Sequence, residues 1–484
     1  MGRPMKINVV VRSLSALAAS AGACLAILAA HAPVAAQPVA PTPTPVPLPA
    51  SQPSSPPLPA PAPTVFVPTG PAVSLSVQQA ITMALTNNLA YQSAAQDVLF
   101  AQGQLISARG NAYPVVSAGY SYEHYQNEGF VFFPVPQPVG PPILQKEIFS
   151  AANINNVNAT LQYAIYTGGA VQAAIGAAAA NYSAAQSNYA AARADVINNT
   201  TSAYYSLLLA QRTAVISDEA VDVANQNLKT SQELFTAGTA ARADVLRQQV
   251  ALANAQVDAV RAHNSAYLAN ANLANLLNIN LNSVITPQFA PTAPPVYSLA
   301  DLLQEAQVRR PEIASAIDAV TIAEKTVTEA RSGTLPQISL GITDASSKPN
   351  FFNVPQPQLS ETLAVYWKLF DGGFTHGKVV QAQADVDKAK INLQQLRNSV
   401  DLQVRQAYFN YVAAQSAAVA ALSGQTSAAE SLRVTQLRYR AGVGTALDLT
   451  DALLTFTQTQ VTYATALADE STALIELQRA AGLL

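Results

Sequence analysis

Asp448 and Asp451 stand three residues apart, just past the sequence Tyr439-Arg440-Ala441-Gly442. On a helix that spacing puts both carboxylates on one face. Several copies of such a face around an opening would favour cations and bind polyvalent ones; a single copy near a helix start would only complement the macrodipole, at about 0.3 to 1 kcal/mol per aspartate. Asp244 and Arg247 occupy the matching positions after Phe235-Thr236-Ala237-Gly238, since 448 minus 244 and 451 minus 247 both give 204. Other reactive groupings are missing. His31, His124, His263 and His376 are scattered, and no phosphate loop, metal-spaced cluster or nucleophile motif is visible. An enzyme is therefore not expected, nor a cofactor or a metal. A net charge of −3 leaves no basic footprint, so no nucleic-acid partner is expected.

The elements that position these groups are duplicated. The 204-residue offset also relates Tyr166-Thr167-Gly168-Gly169 to Phe370-Asp371-Gly372-Gly373, and Ala203-Tyr204-Tyr205 to Ala407-Tyr408-Phe409. No insertion or deletion separates these landmarks, which points to a rigid element of functional length. The expected organisation is a first repeat at 74–286, a Pro-rich junction at 287–297 and a second repeat at 298–484.

Ala170 to Ala237 holds no proline and one glycine, Gly176, and Phe374 to Ala441 holds only Gly377 and Gly424. Each predicts one helix of roughly 65 residues, spanning about 100 Å. Val171, Ile175, Ala178, Tyr182, Ala185, Tyr189, Ala192 and Val196 mark a heptad seam in the first; Val379, Ala382, Val386, Ala389, Leu393, Leu396 and Val400 mark it in the second. Heptads alone would favour a plain coiled-coil rod. The turns at Gly238 and Gly442 lead into return helices, Ala241 to Leu277 and Leu447 to Ala481. Single helices at Ser76 to Ala108 and Leu299 to Ala330 precede the strand regions.

Between these helices the period drops to two. Val116, Ala118, Tyr120 and Tyr122 alternate with polar residues, as do Val157 to Ile165, Ile338 to Ile342 and Leu363 to Leu369. The pattern suits four membrane barrel strands, apolar toward lipid and polar toward a wet lumen; a half-buried soluble sheet has the same signature. Aromatics near the strand ends, including Tyr120, Tyr122, Trp367 and Phe370, favour the membrane as an interfacial girdle. Four strands cannot close alone in lipid. Two chains would give a filled eight-stranded barrel, and three a twelve-stranded barrel with an open lumen.

Arg3, Lys6 and Arg12, the apolar stretch Leu14 to Ala30 and the small residues Val34-Ala35-Ala36 predict a secretory signal over 1–36. The one cysteine, Cys24, lies inside it; lipidation there is the alternative. The Pro-rich segment 37–73 is expected to be extended. Charged residues make up only 11%, yet no later apolar run is long enough for a membrane helix, so the chain would enter a membrane as strands.

With its Leu369-Phe370-Asp371-Gly372-Gly373 junction, its Tyr439-Arg440-Ala441-Gly442 turn followed by Asp448, and its tandem repeat, the chain resembles the outer-membrane efflux protein family, the TolC-like outer membrane factors, over about Ser74 to Leu484. The resemblance implies an α+β membrane protein: a homotrimer whose twelve-stranded β-barrel in outer-membrane lipid continues into a periplasmic α-helical barrel. It implies a passive export channel for small molecules or polypeptides, partnered by a periplasmic adaptor and an inner-membrane transporter. Asp448 and Asp451 match aspartates that narrow the periplasmic entrance, and Asp244 matches one that helps close it. Gly238, Gly442, Tyr439 and Arg440 mark the tips expected to meet the adaptor. Two departures stand out. Asn88-Leu89 replaces a common Asn-Pro, which survives as proline in Arg310-Pro311; Gly444 replaces a locking arginine, leaving Arg242, Arg438 and Arg440 as candidate partners of Asp244. A secreted coiled-coil structural or adhesive protein is the alternative.

Overall fold

The computed structural model describes residues 70–126, 129–150, 153–288, 295–348 and 356–484, all within one unit of the chain, 63–484. The predicted signal, and residues 37–69 of the Pro-rich segment, lie outside the described residues. In chain order the first repeat comprises β1 (Ala72–Leu75), α1 (Val77–Asn87), α2 (Leu89–Gly110), β2 (Val115–His124), β3 (Gly129–Val135), β4 (Ile143–Ser150), β5 (Asn153–Tyr166), α3 (Ala170–Thr236), α4 (Arg242–Leu276) and β6 (Val284–Pro287). The second comprises α5 (Leu299–Arg309), α6 (Pro311–Ser332), β7 (Gln337–Lys348), β8 (Gln356–Tyr366), α7 (Phe374–Arg440) and α8 (Ala446–Ala480).

The matched lengths are reproduced: α3 and α7 have 67 residues each, and α4 and α8 have 35 each. Both long helices stop in the same way. Thr239 N–H donates to Leu234 O at 2.9 Å past Gly238, and Val443 N–H donates to Arg438 O at 3.0 Å past Gly442. Their packing differs from the expected symmetry. In α7 the predicted seam holds, with Ala382, Val386 and Val400 buried and the others half-buried or nearly so. In α3 only Val196 of the predicted seam is buried, and Ala173, Ala180 and Ala184 form the buried line. The reason is crowding: α3 is packed by α1, α2, α4, α6 and α8, so no single stripe is privileged.

Each short upstream helix, expected to be continuous, is broken in two. α1 ends at Asn88, whose backbone is extended (φ −66°, ψ 123°) and whose Oδ1 accepts from Ala90 N and Tyr91 N at 3.0 and 3.2 Å. α5 ends at Arg310, extended in the same way (φ −65°, ψ 122°) because the following Pro311 disfavours helix there and then starts α6. A side-chain cap thus makes in the first copy the bend that proline makes in the second. The paired helices again match, 11 and 22 residues in both copies, at an offset of 222, from 299 minus 77 and 311 minus 89.

The four predicted strands form one antiparallel sheet in the order β2-β5-β7-β8, but four further strands were not foreseen. β1 and β6 pair in parallel, clipping the start of the first repeat to its end. β3 and β4 form a separate hairpin within the β2–β5 connection, and it accounts for the 18 residues by which the offsets 222 and 204 differ. The fourth strand stops at Tyr366, so Trp367 and Phe370 lie beyond it. Register puts the apolar residues on one face: Val116 faces Leu161, Leu161 faces Ile342, Tyr163 faces Leu340, and Leu340 faces Leu363. Ser117, Thr160, Thr343 and Ser360 line up on the other. Asp344 and Glu361 interrupt the apolar face, flanked by Leu359 and Ile342. The face is exposed within the chain, with Val116 72% and Leu363 65% accessible.

Two equivalent apolar cores sit where the short helices meet the long ones. Val196, Leu207, Leu273 and Leu277 in the first correspond at the 204 offset to Val400, Tyr411, Leu477 and Ala481 in the second. Arg479 of α8 ties the copies together: its guanidinium lies 2.5 Å from Asp195 of α3 and 3.4 Å from Glu312 of α6. Arg310, only 4% exposed, adds Nη1 to Gln403 Oε1 at 2.7 Å and lies 3.6 Å from Glu312.

The strand-to-helix junctions need two successive left-handed residues, Gly168 and Gly169 (φ 65° and 91°) and Gly372 and Gly373 (φ 64° and 90°). A Cβ on Gly168 would come within 2.9 Å of Ser332 O and Leu335 Cβ, whereas Gly372 has open space. Alanine at either costs about 1 to 2 kcal/mol for its left-handed backbone. Gly168→Ala is expected to lower the thermal unfolding midpoint of the detergent-purified protein more than Gly372→Ala, and equal shifts would contradict the steric account.

At the second junction Asp371 Oδ1 accepts from Gly373 N at 3.0 Å, and Oδ2 accepts from Thr375 N at 2.9 Å and from the Thr375 hydroxyl. In the first copy Thr167 Oγ1 does a lesser version, accepting from Val171 N at 3.2 Å. The Thr375 hydroxyl above all holds the Asp371 carboxyl below the usual carboxylate range. Because folding lowers this pKa, the stabilisation is complete above the unfolded value of about 3.9 and fades as pH falls through the folded one. Asp371→Asn should therefore flatten the acid side of the stability profile, read as melting midpoint against pH; a slope equal to the parent's would refute it.

Candidate functional site: the helical tips

The turns after α3 and α7 bring the two hairpin ends side by side. Their shared core contains Ala224, Leu432, Tyr439, Ala446, Leu449 and Leu453, with Leu234, Leu252 and Phe456 packed against it. Tyr439 is 4% exposed and its hydroxyl has no hydrogen-bond partner, so its side chain shapes the turn from within. Gly238, Arg440 and Gly442 lie at the exposed ends.

Asp448 stands at the third position of α8, where a capping box forms. Its N–H donates to Thr445 Oγ1 at 3.1 Å, and Thr445 N–H donates to its Oδ2 at 3.4 Å. Asp448 and Asp451 are both exposed, on the side of α8 opposite buried Ala446, Leu449 and Leu453. Among the described residues neither has a cationic partner in its own chain. Asp244 occupies the equivalent place in α4, accepting from Ala241 N at 3.3 Å, and is half-buried. Its ion pair is with Arg247 of the same helix, at 4.0 Å, and not with Arg242, Arg438 or Arg440. The exposure of this pair makes it a weak lock.

Asp244, Arg247, Tyr439, Gly442 and Gly444 line one cavity of about 440 Å³ between the tips. A Cβ at 444 would lie 3.0 Å from Tyr439 N and 3.2 Å from the Arg438 carbonyl carbon, so a side chain there requires the turn to give by a few tenths of an ångström. The chain crosses tightly over its own helix end at that point.

One residue in this region was not foreseen. Gln248 of α4 is 1% exposed, and its Nε2 donates to Ala446 O and Thr450 Oγ1 of α8, both at 3.2 Å. The sequence offers a faint signal for it, since Gln248, Leu252 and Ala255 share one face of α4 and the last two meet the tip core.

The four aromatics expected to form a girdle fall at the two ends of the sheet. Tyr120 and Tyr122 sit toward the far end of β2, 68% and 56% exposed. Trp367 and Phe370 sit at the helix-proximal end, where Trp367 Nε1 donates to Thr334 O at 3.1 Å.

Comparison with known proteins agrees with this architecture. The sequence profile of the family described as outer membrane efflux protein matches residues 80–278 and 302–483, one match per repeat. Protein CyaE of Bordetella pertussis is 27% identical over 331 residues, covering 66% of this chain and 70% of CyaE. The alkaline protease secretion protein AprF of Pseudomonas aeruginosa is 27% identical over 269 residues, 53% of this chain and 55% of AprF, so the chain spans about half of that relative. Among solved structures, the CmeC outer membrane channel of Campylobacter jejuni superposes with a TM-score of 0.73 at 18% identity, covering 84% of this chain and 85% of CmeC. The double family match, with the duplicated hairpins and the four-stranded sheet, places the chain in the outer membrane efflux protein family.

Proposed function

We propose that the chain forms the outer-membrane duct of a tripartite efflux or type I secretion system, working as a homotrimer that extends into the periplasm. The observation that carries this is the sheet β2-β5-β7-β8, apolar on one exposed face, polar on the other, with β2 and β8 unpaired at its edges. Strands of 10 to 14 residues are long enough to span a bilayer. Three copies close a twelve-stranded barrel with a wet lumen, lined by Ser117, Thr160, Thr343 and Ser360. The helices support the same assembly: α7 leaves Val380, Ile391, Leu402, Phe409 and Val419 exposed on faces its own chain does not cover, and α2 leaves Leu99, Phe100 and Ile106. A secreted structural rod gives no reason for the open-edged sheet, and the relatives are channel and secretion proteins.

In such a trimer Asp448 and Asp451 ring the periplasmic entrance, with Asp244 and Arg247 beside them. The exposed tips at Gly238, Gly442 and Arg440 meet the adaptor, with Tyr439 holding the turn in shape. An inner-membrane transporter supplies the energy, since the chain carries no nucleotide-binding loop.

The protein should fractionate with outer membranes, require detergent, run as three chains on analytical ultracentrifugation and conduct ions in planar bilayers. A water-soluble monomer would refute the duct. In the same bilayers, Asp448→Asn with Asp451→Asn should weaken block by a trivalent cation by about tenfold or more, as expected for rings of carboxylates. Unchanged block would place the cation site elsewhere.

A further inference from the structure

We infer that Gln248 is a latch joining the two hairpin tips of one protomer, and that it holds the entrance in its closed form; this rests on the reading of the tips as an entrance. Its primary amide has two protons, and the structure directs them across the gap between the hairpins. Nε2 donates to Ala446 O and to Thr450 Oγ1, each at 3.2 Å, while the Thr450 hydroxyl itself donates to Ala446 O at 2.9 Å. The three groups form a closed triangle at the start of α8. Fixing Ala446 and Thr450 fixes the first turn of that helix, and with it Asp448, which lies between them, and Asp451, which follows.

The bridge is buried, so it is not the weak solvent-exposed kind represented by Asp244 and Arg247. It is also directional. At the 204-residue offset, Gln248 corresponds to Ala452, while Ala446 and Thr450 correspond to Arg242 and Leu246. Alanine at 452 has no donor to send back, so the duplication carries the latch in one direction only. Movement of α8 away from α4 must leave the amide unpaired or bring water to it, and either outcome opposes opening.

Gln248→Leu keeps the side-chain bulk and removes the donor, while Ala446 O retains its helical hydrogen bond. Its single-channel conductance at neutral pH is expected to rise several-fold over the parent. Gln248→Glu supplies a readout that simple packing would not. As a neutral acid it still has one proton to donate to Ala446 O; as a carboxylate it has none and faces that oxygen. Its conductance should exceed the parent's at neutral pH and return toward it below about pH 5, since burial raises a glutamate from its usual 4.3. Asp244 and Arg247 on α4 and Tyr439 at the end of α7 line the cavity that Ala446 also borders, while Asp448 and Asp451 lie exposed on the opposite side of α8 and Arg438 and Arg440 are exposed at the end of α7. All are present in the parent, so the parent's own pH profile is the reference. If the parent conducts and both variants match it at every pH, the latch is wrong and the duct stands. If the parent never forms a channel, the duct reading fails and the latch with it. Should Gln248→Leu lose helical content, the Gln248→Glu profile decides, read only at pH values where its helical content equals the parent's, because acid also relieves the fold of a buried charge.

Discussion

Hydrocarbon offers no water to a peptide group, so each N–H and C=O within it needs a partner in the protein. The sheet β2-β5-β7-β8 meets that demand for its inner strands and leaves one edge open on β2 and another on β8. A single chain is therefore incomplete as a membrane body. The helices share this incompleteness: α3 is enclosed by five other helices of its own chain, α1, α2, α4, α6 and α8, whereas much of α7 outside its one buried seam is left bare. The paired glycines at 372 and 373 carry the chain directly from the open edge at β8 to the bare faces of α7.

Much of this was legible in the sequence because the signals were long. Some 67 residues without proline can hardly be other than a helix, and the boundaries of α3 and α7 fall within a residue of those expected. The four barrel strands were legible through alternation. What escaped was set by single side chains or by patterns lacking a period. Asn88 interrupts a helix by capping the next one, and an asparagine inside an apolar repeat does not reveal whether its side chain turns inward. In the β3–β4 hairpin, β3 runs Phe130-Val131-Phe132-Phe133-Pro134, apolar on successive residues, and β4 holds three polar residues in a row, Gln145-Lys146-Glu147, so neither alternates. The first heptad seam misled because it assumed one partner for a helix that has several.

The tips show the same limit at the level of function. The acidic positions could be found by comparing the two copies, since the asymmetry is written in residue types. Gln248 could not, because α4 is rich in glutamine and asparagine and only the fold brings this one against the start of α8. At the other end of α8, Arg479 reaches Asp195 and Glu312, so the helix is tied to both repeats far from the tips.

The equal lengths of the arms make them a matched pair of gauges. One residue added to α3 alone would turn everything beyond it by about 100° and advance it by about 1.5 Å. That is enough to carry Gln248, with the whole of α4, away from its targets on α8, which would stay where they were. Seven residues, close to two full turns, added in α3, α4, α7 and α8 together would nearly preserve the cross-arm relations and yield a longer tunnel. The reach of this protein across its compartment can thus change only in concerted steps, while the connection between β2 and β5, which already holds 18 more residues than symmetry requires, is free to vary alone.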